Sequence, residues 1–73
     1  MPDLEQYLKM HYNVVLVWDG EDWIARNPEL NGCIADGKTE QLALVSLAIT
    51  RQLWIESRLA MGLEIPLPAY MQG

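Results

Sequence analysis

From Thr39 to Met61 the chain runs without a glycine or a proline, and Gly62 closes the stretch. Leu42, Ala43, Leu44, Val45, Leu47, Ala48, Ile49, Leu53, Trp54, Ile55 and Leu59 are spread through it. Such a run predicts one helix of about 22 residues, with Thr39 as N-cap and Gly62 just past its C-terminus. At ~100° per residue, Ala43, Leu44, Leu47 and Trp54 form one arc, and Leu42, Val45, Ile49 and Leu53 form a stripe on the other side. A helix on a single small sheet needs only one apolar face. Burying an aliphatic side chain is worth about 1.5–3 kcal/mol, so a second face left in water is a liability, and it predicts contact with another chain. The stripe has the spacing of a seam between packed helices, with Glu56 continuing its line into solvent. A homodimer is the simplest closure, because a two-fold axis buries one stripe against its copy.

The other segments are short. Leu4 to Met10 reads as one or two helical turns, with Leu4, Tyr7 and Leu8 on one side and Asp3 as N-cap. Tyr12 to Trp18 is rich in β-branched and aromatic residues, and it predicts a central strand covered on both faces. Asp19-Gly20-Glu21-Asp22 supplies a turn signal, and Trp23 to Asn27 returns as the second strand of an antiparallel hairpin stopped by Pro28. Cys33-Ile34-Ala35, ended by Gly37, is a third short strand. Leu63 to Pro68 is extended because of its prolines, and can lay an edge strand beside the sheet. The expected fold is α+β, a single domain over residues 1–73: an antiparallel sheet of three or four strands packed on one long helix, with a short N-terminal helix.

At 73 residues the chain can hide only about 60% of the surface its unfolded form exposes, so its own core is thin and a partner subunit helps. Ten acidic residues against five scattered basic ones leave a net charge of −5. Nucleic-acid affinity comes mainly from neutralised phosphates, so direct binding to nucleic acid is not expected, whereas a basic protein would be attracted. A lone cysteine and no charged-then-apolar leader point to the cytoplasm. No apolar run approaches the ~20 residues that span a bilayer.

Few residues suggest chemistry. Cys33, far in sequence from His11, the only histidine, reads as a buried structural thiol and not as a nucleophile. One cysteine and one histidine make no closed zinc site. Asp19, Glu21, Asp22 and Asp36 could hold a divalent metal for phosphodiester cleavage, but three of them share one hairpin turn, where acidic residues serve turn chemistry and solubility. Gly20, Gly32 and Gly37 match no phosphate-binding pattern. Trp18, Trp23 and Trp54 read as core or interface anchors. No catalytic residue, metal or cofactor is expected.

The order of elements, with Pro28-Glu29-Leu30-x-Gly32-Cys33 after the acidic hairpin, Gly37-x-Thr39, Ala43-Leu44 early and Trp54 late in the helix, and Ile65-Pro66-Leu67-Pro68 as tail, resembles the HicB-like antitoxins. That family has a partial ribonuclease H-like fold. The resemblance covers nearly the whole chain. It implies a cytoplasmic, non-enzymatic protein that binds and inhibits a small basic HicA-type toxin, a ribonuclease that cuts messenger RNA. Consistent with this, Val15 and Leu16 stand where a ribonuclease H site would want a carboxylate. Departures are Asn31 for a frequent proline, Leu42, Val45 and Ile49 at positions that are usually charged, and Arg51 at one that is usually apolar. No DNA-binding domain follows before Gly73. Toxin contact is expected at the sheet edge and at Asp19, Glu21, Asp22 and Glu29, and self-association at Leu42, Val45, Ile49 and Leu53. The alternatives are an orphan oligomeric scaffold and, further off, a metal-dependent nuclease.

Overall fold

The structure, a computed structural model, describes residues 2–72; the two ends of the expected domain, Met1 and Gly73, lie outside the described residues. Helix α1 (Leu4–Leu8) starts in a capping box: the Asp3 carboxylate accepts from the Gln6 amide at 2.9 Å, and the Gln6 side chain accepts from the Asp3 amide at 2.8 Å. Three strands follow, β1 (Val15–Trp18), β2 (Trp23–Arg26) and β3 (Ile34–Gly37), and then helix α2 (Glu40–Ala60). The sheet is antiparallel in the order β1-β2-β3.

Thr39 caps α2 by accepting from the Leu42 amide at 3.1 Å, and Gly62 leaves it at φ +67°. That left-handed conformation suits a glycine past a helix end. Gly37 is required for a different reason, since a Cβ there would collide with the Ala43 nitrogen and come within 2.7 Å of the Leu42 carbonyl carbon. The absence of a side chain lets the start of α2 sit directly on the end of β3.

Register assigns the two faces of the sheet. Leu16, Ala25 and Ala35 are paired across the three strands and face α2, as do Trp18, Trp23 and Gly37. Val15, Arg26 and Ile34, with Val17, Ile24 and Asp36, form the outer face. The core joins Ala25, Leu30, Cys33, Ala43, Leu47 and Ile55 to Tyr7, Tyr12 and Ile65 from the two ends of the chain.

Three expectations are corrected. The run Tyr12–Trp18 is not a central covered strand: β1 lies at the edge, and α2 packs chiefly on β3 and β2, so Val17 and Trp18 remain 52% and 49% exposed. The tail adds no strand, because Leu63–Pro68 stays extended without sheet pairing and ends in a 3-10 turn at Ala69–Met71. It is anchored instead by the Tyr12 hydroxyl, which donates to the Pro66 carbonyl at 2.7 Å. Leu44 does not belong to the buried arc and is 41% exposed; Ile55 is fully buried in its stead.

Candidate functional site

The loop from Pro28 to Cys33 is built around Asn27, the one buried polar residue among the described residues. Its amide donates to the Cys33 carbonyl at 3.2 Å, its carbonyl accepts from Leu30 at 3.0 Å, and its side chain donates to the Asn13 carbonyl at 2.9 Å. The Cys33 thiol donates to the Asn27 side-chain oxygen at 3.5 Å. Burial pushes that thiol above its ordinary pKa, with Arg51 pulling weakly the other way, so it stays protonated at neutral pH. Cys33 is a packing residue.

The four carboxylates expected to meet a toxin do not form one patch. Asp19, Glu21 and Asp22 sit in the β1–β2 turn. There the Asp19 carboxylate accepts from the Glu21 and Asp22 amides at 2.8 Å each, and those bonds hold its pKa below the usual carboxylate value. Asp22 pairs with Lys38 at 2.8 Å. Glu21 has no hydrogen-bond or ion-pair partner through its side chain among the described residues, and it is the turn's free charge. Glu29 lies at the other end of β1, where one carboxylate oxygen accepts from the Asn13 amide at 3.1 Å and from the Ala69 amide at 3.0 Å. Burial raises its pKa, but the amides of Ala69 and Asn13 outweigh burial, and the net direction is down. Glu29 ties the tail to the start of β1 and is not a free steering charge. Sequence alone gave no sign of this, since both donors are distant backbone groups.

The helix stripe lies where the spacing put it. Leu42, Val45, Ile49 and Leu53 are 52%, 53%, 60% and 61% exposed, on the side of α2 opposite Ala43, Leu47 and Trp54. Neither Leu4–Met10 nor the tail covers it. Trp54 instead holds the loop, donating to the Asn31 carbonyl at 3.1 Å beneath the Arg58 guanidinium, which lies 4.5 Å from its ring.

A surface not anticipated from sequence completes the picture. Val15, Val17, Ile24 and Ile34 make an apolar outer sheet face, flanked by Arg26 and Asp36. Alternation within each strand carried this signal, but it becomes readable only once the face turned to α2 is known. Among the described residues no group of three His, Cys, Asp or Glu side chains is placed to hold a metal ion, and no helix is long and apolar enough to cross a membrane. Compared with protein-family models, curated proteins and solved structures, the chain gives no significant match.

Proposed function

We propose that this chain is a HicB-like antitoxin, a cytoplasmic, non-enzymatic protein that binds and inhibits a small basic mRNA-cleaving toxin of the HicA type. One observation carries the reading: both outer surfaces of a two-layer fold are apolar, and an acidic turn lies at the end of the sheet. Surfaces of that kind mark protein contacts, because an isolated domain gains nothing by leaving them wet. The net charge of −5 favours a basic partner and disfavours RNA. In this reading the outward stripe of α2 joins two copies, and the turn and sheet side receive the toxin.

The resemblance of the Pro28–Cys33 loop, of Gly37-x-Thr39 and of the helix pattern to HicB-like chains supplies the identity of the partner. Expression of the protein encoded beside this one should arrest growth, and co-expression of this chain should restore it. Absence of a small basic neighbour, or no rescue by this chain, would move the assignment to a stand-alone oligomer, for which the α2 stripe alone would suffice.

A further inference from the structure

We propose that the free edge of β1 pairs antiparallel with β1 of a second copy, joining two three-stranded sheets into one of six strands. The proposal does not rest on the toxin reading, and the contact is separate from the α2 stripe.

The composition of β1 contradicts its position. Val15 to Trp18 contains no charge and no proline, and all of its residues are apolar or aromatic. Edge strands normally carry lysine, proline or a bulge that discourages further pairing. The other edge, β3, does so with Asp36, Gly37 and the adjoining Lys38. β1 has no such device, yet it is an edge strand with Val17 and Trp18 half exposed on its two faces.

The backbone agrees. The Asp19 amide donates to the Asp22 carbonyl at 3.0 Å, which makes that pair the close hydrogen-bonded one nearest the turn. Alternation along an antiparallel ladder then turns the amides and carbonyls of Val15 and Val17 toward β2, and those of Leu16 and Trp18 away from it. Among the described residues no other backbone bond takes these outward groups.

A second copy fits this edge by symmetry and by charge. A two-fold axis normal to the sheet brings back the same strand antiparallel and keeps each residue on its own face. Val15 and Val17 then extend one apolar surface, and Leu16 and Trp18 extend the other. Copies with a net charge of −5 repel, but the paired segment is neutral. Antiparallel alignment sets the Asp19–Asp22 turn of one copy toward the start of β1 of the other, and keeps the two acidic turns apart. With the α2 stripe also joining copies, the assembly is larger than a dimer.

The test is amide hydrogen exchange on the full chain, with sedimentation on the same samples. In the associated wild-type protein the Leu16 and Trp18 amides should exchange at least about tenfold more slowly than in Val17→Lys, which sets like charges together at the seam. Val17→Lys should sediment at half the wild-type mass. Val45→Lys/Ile49→Lys, altered only on α2, should keep the Leu16 and Trp18 protection. If Val17→Lys fails to fold by circular dichroism, dilution of the wild-type protein must release that protection. Fast exchange at both amides in the associated protein, a monomer at high micromolar concentration, or protection that arises only when the co-encoded basic protein is added would each overturn the self-pairing. The last would assign the edge to that protein, and fast exchange alone would leave the α2 seam intact.

Discussion

Glu29 brings a carboxylate into a place where one oxygen serves two amides and the other is sealed from water without a hydrogen-bond partner. Its folded pKa lies below the ordinary value of 4.5. The stability it contributes is therefore present above that ordinary value and is lost as pH falls through the lowered folded pKa. Glu29→Gln should lower the melting temperature at pH 7 by an amount corresponding to about 1–3 kcal/mol, and should flatten the acid limb of a melting-temperature profile. An unchanged profile between neutral and acid pH would remove the tether. Gly37→Ala tests a different residue-scale constraint, because its Cβ meets helix backbone that cannot swing aside. A loss of roughly 1–3 kcal/mol in denaturant unfolding is expected.

Among the elements, α2 was the most legible in the sequence, because its boundaries are local chemistry: Thr39 caps it and Gly62 takes the left-handed position past its end. The hairpin was legible for the same reason. The place of β1 was not, since an apolar run reports burial that is wanted and says nothing about which neighbours are present. Leu44 was misplaced for a related reason. It lies on the same flank of α2 as Ile55, about 20° away at ~100° per residue. Tyr7 and Ile65 share the core with Ile55, and nothing comparable covers Leu44. Only the tertiary positions of α1 and the tail separate the two. At the candidate site, the stripe followed from spacing alone, while the separation of Glu29 from the turn depended on distant backbone donors. Val45→Lys/Ile49→Lys should leave far-UV circular dichroism and the buried face of α2 intact, and should reduce the mass found by sedimentation. Glu21→Gln with Asp22→Asn should slow association with the proposed basic partner and weaken its salt dependence, since rim charges act mainly on the on-rate. Asp19 and Glu29 are unsuited to that test because each holds local structure through backbone amides.

At the scale of the molecule, a shortest extent of 18 Å leaves room for one sheet and one helix layer and no third. Leu42, Val45, Ile49 and Leu53 on one side and Val17 and Ile34 on the other therefore meet solvent in the isolated chain, with Val15 and Ile24 half-buried beside them. Both surfaces are accounted for if the chain works as part of a protein complex. The most direct measurement is RNA cleavage by the purified protein encoded beside this one, the proposed toxin, titrated with this chain. Cleavage should fall to zero at a fixed stoichiometric ratio, with a complex that survives gel filtration. Cleavage that continues unchanged in excess of this chain, with the two proteins eluting separately, would contradict it.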